Sequence, residues 1–528
     1  MQYWKSFFRM LGTNKRQYGV VTALSMLAAA TEGFIHPLLI KAVLDEAASA
    51  TNFSRFLTLV FGYFILGLTL NASLYLISLW QQKIDNRIVA KVSSDLMESY
   101  YRKSYEDIMR NGEGYYISRM RSDVKDGVIP MLASVRQIFS RTAMFLALLS
   151  ALLIISWQAF LFLAAIIPIA AIISVSLSKK ISAVTSVERD KEAELLSVLS
   201  RSISGFKIAL SFGLVKKAKD NFDQSVERAV ASSYDRFKVV RKLQGVSDLT
   251  MVVSDVCSIF VGALFVFRQQ MTFGSFIAFM NAFWRSATTL VSIFKLWTDI
   301  QSYGTTLERV ATFIDQEQGK HKYFVTKYLD AESISFSYND LKIIQDFSLH
   351  LAPGSRALID GGNGTGKTTL ANLLAGFLRI DAGCLSRPGE VSAVTLPIAF
   401  PPLRLRDIVL DHALLEAFSV GTPSILEMSP SEMSAGQQQK IALCLALSKK
   451  SDLYILDEPL ANLDPSSRRI AMDEIMRRTE GAILVVIMHG FDEYRDCFDV
   501  RLTMPEREVP MPNSADSEQS TPSVSRAL

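Results

Sequence analysis

At 528 residues the chain is too long for one ordinary core, so size alone predicts at least two domains. Hydrophobic residues make up 49% of it and charged residues 20%, an average that suits a strongly apolar part joined to a soluble one. Fifty-six basic residues stand against 52 acidic ones, and a net charge of +4 signals no nucleic-acid-binding face. The four cysteines, Cys257, Cys384, Cys444 and Cys497, share no paired spacing and read as reduced, structural thiols.

From the N-terminus, Lys5, Arg9, Lys15 and Arg16 precede an apolar stretch that no small-residue cleavage pattern closes at signal-peptide length, so a retained first span is expected. A bilayer takes roughly 20 helical residues to cross. Six runs qualify: 19–42, 56–80, 139–156, 160–177, 249–267 and 273–297. The links at 41–53, 156–158 and 268–272 are short, whereas 81–131 and 178–247 are long, helix-compatible and rich in Lys and Arg. Basic loops stay in the cytoplasm, which places both termini there. The long segments should be helices that carry the spans into the cytosol. Polar groups within spans are costly, so Glu32, His36, Asn71, Asp255, Asn281 and Arg285 either line a cavity and touch substrate or pair internally. Pro37 and Pro168 are expected to kink their helices.

Residues 316–324 read as a linker between a membrane domain at 1–315 and a soluble α/β domain at 325–505. In the latter, β-branched runs at 333–336, 356–359, 453–456 and 482–487 alternate with helical patterns. Residues 506–528, rich in Ser, Pro and Glu, suggest a disordered tail.

The run at 356–359 leads into Gly361-Gly362-Asn363-Gly364-Thr365-Gly366-Lys367-Thr368-Thr369 and then an apolar helical stretch, the strand–loop–helix context of a phosphate loop. Glycines let backbone N–H groups converge on phosphates, Lys367 neutralises them, and the Thr368 hydroxyl ligates Mg2+. The apolar strand ending Asp457-Glu458-Pro459 puts two carboxylates where open α/β sheets bind ligand. Asp457 is suited to hold the metal, through water, and Glu458 to polarise the attacking water.

Between these motifs, Met433-Ser434-Ala435-Gly436-Gln437-Gln438-Gln439 resembles the LSGGQ signature of ATP-binding-cassette ATPases. The resemblance implies further roles: Tyr338 stacking on adenine, Asp464 in the D-loop Ala461-Asn462-Leu463-Asp464, and catalytic His489, after the strand at 483–487, as the switch histidine. It also implies that Ser434, Gly436 and Gln437 close over ATP held by a second subunit, most simply another copy of the chain. More loosely, Gly114-Tyr115-Tyr116-Ile117-Ser118-Arg119 with Asp123, and the run from Gly205 to Gly213, resemble the two intracellular loops of six-span exporters, whose turns dock on ATPase domains. The implied architecture is a membrane α-helical domain of six spans followed by an α/β P-loop ATPase. Its expected setting is a bacterial inner membrane, with lipids and an amphipathic or peptide-like substrate as partners and no nucleic acid.

One family feature is missing: no glutamine lies between Lys367 and Gln437, and Ile398 or Ala399 takes the place of a metal-contacting one. The segment between Lys367 and Ser434 is also short for the family. ATP should therefore bind while hydrolysis is slow. Export of a peptide-like or amphipathic compound is the leading expectation, and the absence of a peptidase ahead of the first span argues against leader-cleaving transporters. A nucleotide-gated regulator or channel, and an importer or lipid translocase on the same fold, stay open.

Overall fold

The computed structural model describes residues 2–49, 52–164, 187–188, 191–192, 194–315, 323–338, 341–408, 411–490 and 492–505. It forms two compact units, Met1–Tyr101 with Glu113–Gln316, and Arg102–Gly112 with Glu317–Leu528.

The first unit is helical, with long helices at Lys15–Ser49, Phe53–Tyr101, Ile129–Ala164, Val215–Phe267 and Phe273–Asp315. The expected spans at 19–42, 56–80, 139–156, 249–267 and 273–297 each lie within one of these. The fourth, at 160–177, leaves the described residues after 164; Pro168, the linker up to 322 and the tail lie outside them as well. Among the described residues, three helical stretches are long and apolar enough to cross a membrane: Tyr3–Ser49, Phe53–Tyr101 and Glu113–Leu161. A shorter apolar helix runs from Asp255 to Phe267. The sixth expected span misses that measure because Asn281, Arg285, Thr288 and Thr289 dilute its apolar residues. Pro37 sits inside the continuous Lys15–Ser49 helix. The backbone break occurs instead at Ser156 (φ −163°, ψ 101°), where a short link was expected.

Polar groups in this unit pair with one another. Arg136 donates two hydrogen bonds to Asp85, at 2.6 and 2.5 Å, with both residues buried. Its guanidinium lies 5.2 Å from the centre of the Tyr18 ring, and the Tyr18 hydroxyl donates to the Leu132 carbonyl at 2.7 Å. Breaking one partner out of such a buried pair costs about 3–5 kcal/mol. Arg285 donates to Glu32 at 2.5 Å, and His36 and Tyr63 share a hydrogen bond at 2.7 Å, so internal pairing accounts for the partners of these three expected cavity residues.

Between the long helices Phe53–Tyr101 and Ile129–Ala164 the chain passes through Arg102–Gly112, which belongs to the second unit. Ser104 caps a short helix, Tyr105–Asn111, by accepting from the Asp107 amide, and Gly112 ends it at φ +75°, a conformation a side chain resists. Gly114 to Arg119 already belong to the following helical run, which passes through two π-helical turns, Ser118–Ser122 and Val124–Val128. Asp123 there accepts from Arg119 and Arg309. The other expected turn is in place: helix Phe206–Ser211 ends at Gly213 with φ +64°.

The second unit holds two sheets. Strands β1 (Phe324–Val325), β2 (Leu329–Tyr338), β3 (Leu341–Leu351) and β5 (Ala382–Arg387) form one, in the order β1-β5-β2-β3. Strands β4 (Arg356–Gly361), β6 (Val391–Val394), β7 (Leu453–Asp457), β8 (Ile483–Ile487) and β9 (Val500–Met504) form the other, all parallel, in the order β6-β7-β8-β4-β9. β7 and β8 are buried at every residue, as the near-continuous apolar runs 453–456 and 483–487 require in a sheet covered on both faces. Helix Lys367–Ala375 covers one face with Leu370, Leu373 and Leu374, and helix Ala435–Ser448 covers the other with Ile441, Leu443 and Cys444. Burial pushes the Cys444 thiol up to about 12, which keeps it protonated and inert, as a structural thiol should be.

Candidate functional site

β4 ends in the glycine loop, and helix Lys367–Ala375 begins at its far side. Gly364 (φ +82°) and Gly366 (φ +97°) take left-handed conformations, and a Cβ on Gly366 would come within 2.9 Å of the Ile343 side chain. The loop therefore exists in this shape only with glycine at these positions. The Thr365 hydroxyl donates to the Gly362 carbonyl, and the Lys367 ammonium donates to the carbonyls of Gly361 (2.7 Å) and Gly362 (2.8 Å). Asn363, Thr368 and Thr369 complete the loop and the first helical turn. Tyr338 closes β2, its ring edge-on to Phe336 at 4.9 Å; burial pushes its hydroxyl up, while a hydrogen bond with Thr369, at the loop's end, pulls it back.

Parallel register places the ends of β7 and β8 beside β4. Asp457 pairs with Ile487, and Ile359 pairs with Ile487 from the other side. The Asp457 carboxyl is buried, and neither oxygen has a well-formed hydrogen bond. Burial pushes its pKa up, opposed by the nearby Thr368 hydroxyl, the Leu396 amide and the charge of Lys367. A buried acid with two open lone-pair sites beside a threonine hydroxyl is a donor set that fits a hard divalent cation. Glu458 follows at φ +50°, unusual for a side-chain-bearing residue, with its amide donating to the Ile487 carbonyl at 2.8 Å. Its half-buried carboxyl is raised by burial and by Asp457, against Lys367, His489 and the His489 backbone amide.

Ser434 caps helix Ala435–Ser448 in a capping box with Gln437. A Cβ on Gly436 would lie 2.8 Å from the Asn462 carbonyl oxygen, so a bare backbone is needed where signature and D-loop touch. Asp464 caps helix Pro465–Arg478, accepting from the Ser467 amide and from the hydroxyls of Ser466 and Ser467, and these bonds hold its carboxyl well below the usual range. No hydrogen bond among the described residues joins Ser434, Gly436, Gln437 or Asp464 to the glycine loop. The structure thus assembles Lys367, Asp457, Glu458 and His489 at one sheet edge, with the signature helix and D-loop bonded to the backbone at Glu458 and just after it rather than to the glycine loop among the described residues.

Three residues that sequence patterns did not single out take part. Gln439, fully buried, donates from Nε2 to the carbonyls of Glu458 and Pro459, both at 3.2 Å. Asp360 and Arg495 join His489: Asp360 Oδ1 accepts from the Gly361 amide (2.7 Å) and lies 3.4 Å from His489 Nδ1, and Oδ2 accepts from Arg495 (3.1 Å). Their only sequence signal is adjacency, Asp360 to the glycine loop and Gln439 to the signature. At the expected glutamine position, Ile398 is half-buried against the apolar cluster that includes Leu405 and Leu414, and Ala399 is exposed.

Comparison with known proteins bears on both units. Residues 18–285 match the model of the ABC transporter transmembrane region, and residues 344–395 and 410–461 match the ABC transporter model. The gap between the last two falls on the segment that carries Ile398 and Ala399. An ATP-dependent lipid A-core flippase of Dechloromonas aromatica (strain RCB) is 25% identical over 92% of this chain and 88% of its own length. An uncharacterised ABC transporter ATP-binding protein of Bacillus subtilis (strain 168) is 21% identical over 93% and 89%. A mitochondrial potassium channel ATP-binding subunit of Homo sapiens is 20% identical over 93% of this chain and 74% of its own.

Proposed function

The chain belongs to the ABC transporters and is an ATP-driven translocase with its membrane region and ATPase fused, and from that premise we propose that it exports a peptide-like or amphipathic molecule as a homodimer. Residues 1–315 form the membrane domain, 325–505 the ATPase, and both termini face the cytoplasm of a bacterial inner membrane. The supporting observation is the gathering of Lys367, Asp457, Glu458 and His489 at the carboxyl edge of one parallel sheet.

In this reading the glycine loop from Gly361 to Thr369 binds ATP phosphates through backbone amides and Lys367, and Tyr338 takes the adenine. Thr368 and Asp457 would hold Mg2+, which when bound supplies charge neutralisation for the transferred phosphoryl group. Glu458 takes the proton of the attacking water; its raised pKa makes it a better base than an ordinary carboxylate. His489 faces the same edge, and Ser434, Gly436, Gln437 and Asp464 serve the partner copy's nucleotide. Alternate closing and opening of the paired ATPase domains turns the membrane helices between inward and outward openings.

The test is uptake into inside-out vesicles with a panel of peptides, lipids and dyes. Glu458→Gln should retain ATP and transport nothing. Lipid movement alone would favour the translocase reading to which the flippase relative points. ATP binding with ion flux and no turnover would favour the gated regulator that the absent glutamine and the channel-subunit relative suggest.

A further inference from the structure

We propose that Asp360 is a positioning residue for His489, fixing the imidazole tautomer through Nδ1. The inference rests on the reading of the β4–β8 edge as a nucleotide site and adds a residue that the motifs do not include. Parallel strands explain the meeting. β4 and β8 are hydrogen-bonded neighbours with Ile359 opposite Ile487, so the residues just past that pair, Asp360 and His489, emerge side by side although 129 positions apart.

Asp360 is held before His489 reaches it. Its Oδ1 is occupied by the Gly361 amide and its Oδ2 by Arg495, which lies in the 3-10 helix Asp492–Cys497 just after His489. Burial raises its pKa, and the bonds from Gly361, His489 and Arg495 more than reverse that, so the group is a fixed carboxylate. A carboxylate only accepts. Nδ1 faces it at 3.4 Å, the geometry in which Nδ1 donates to the carboxylate and Nε2 is turned to a ligand or water. The other end of the residue bears on the proposed base, since the His489 backbone amide lies near the Glu458 carboxyl and lowers its pKa. One residue thus joins the entry of the phosphate loop to the proposed base.

The experiment uses the full chain in lipid nanodiscs with 15N-labelled histidine. There are five histidines, and a His489→Gln sample identifies the wanted signal. The expected result is a His489 proton on Nδ1, and a shift toward Nε2–H, the form free imidazole side chains favour, in Asp360→Ala, which removes the acceptor. MgATP turnover in this variant should fall about tenfold or more in kcat, a general acid–base effect, with KM moved less than threefold. Asp360→Glu should restore part of both. In a His489→Ala background, Asp360→Ala should change kcat less than twofold. An unchanged tautomer in Asp360→Ala, or a loss of kcat that adds in full to that of His489→Ala, overturns the proposal. A loss confined to KM also overturns it, because it marks Asp360 as a support of the loop alone. If the wild-type chain retains no ATP, the nucleotide-site reading fails, whereas the tautomer shift still decides, independently, whether Asp360 orients the ring.

Discussion

Glu458 carries its function on a strained backbone. A glutamate at φ +50° costs on the order of 1 kcal/mol or more, and the site supplies three restraints: its amide on Ile487, and Gln439 on its own carbonyl and that of Pro459. Gln439→Ala removes a donor from two carbonyls, of which that of Glu458 keeps the Ala461 amide and that of Pro459 loses its side-chain partner, at about 1–3 kcal/mol. The expected result is a lower melting temperature together with a lower kcat, the loss in rate exceeding that of an exposed control such as Glu480→Ala. The pH profile tests the base itself. Because burial and Asp457 raise the Glu458 pKa, the ionised form is lost as pH falls through a value above the ordinary carboxylate range. Turnover should therefore decline on the acid side earlier than a typical glutamate would dictate, and that limb should vanish from the residual rate of Glu458→Gln. The glycines, Lys367 and the Asp457–Glu458 pair were legible because phosphate loops and sheet edges demand those residue types in that order. Asp360 and Gln439 were not, since each acts through a contact whose partner is set by strand register or helix docking, which single-residue patterns do not carry.

At the scale of elements, the long helices and the alternating strands followed from periodicity, while their ends followed from local chemistry. The run from Gly114 to Arg119 that resembles an intracellular loop is helical, and the turn ahead of it is set by the Ser104 cap and the left-handed Gly112, which bound a separate short helix. Helix docking makes its own predictions. Gly436→Ala pushes a methyl to within 2.8 Å of the Asn462 carbonyl, a backbone atom that cannot step aside cheaply, so the signature helix must shift from the D-loop. Hydrolysis should fall at least tenfold in that variant while nucleotide still binds to the glycine loop, measured by fluorescent ATP titration. Ile398→Gln asks the opposite question. The isoleucine is half-buried on the apolar cluster, so the exchange should cost about 1 kcal/mol of stability or a little more. If the missing amide limits catalysis, it should nonetheless raise MgATP turnover; rapid wild-type turnover, unmoved by Ile398→Gln, would rule that limit out. Within the membrane helices, Glu32→Arg and Arg285→Glu should each impair folding or insertion, and their combination should recover expression, since the two charges satisfy one another.

The whole molecule is decided by what one chain lacks. Ser434 and Gln437 bond to each other, Gly436 packs on the D-loop, and none of them hydrogen-bonds to the glycine loop among the described residues; in the proposed homodimer one chain holds two half-sites for nucleotide without closing them on each other. Under the proposed homodimer, two-fold symmetry would close both with a single interface, the signature of each copy meeting the glycine loop of the other. The arrangement makes a sharp prediction for mixed assemblies. Lys367→Ala disables a glycine loop and Ser434→Arg disables a signature, and each variant alone should be inactive in ATP hydrolysis. Mixed before reconstitution, half the dimers are hybrids, and every hybrid has one site built from the intact glycine loop of one copy and the intact signature of the other. With independent sites the mixture should regain about a quarter of wild-type turnover under a two-fold arrangement, and less if both sites must fire together. A site closed within a single chain predicts no recovery, since every chain then keeps its own defect. Measuring turnover across mixing ratios separates the two, because recovery from hybrids follows the product of the two fractions and peaks at equal amounts.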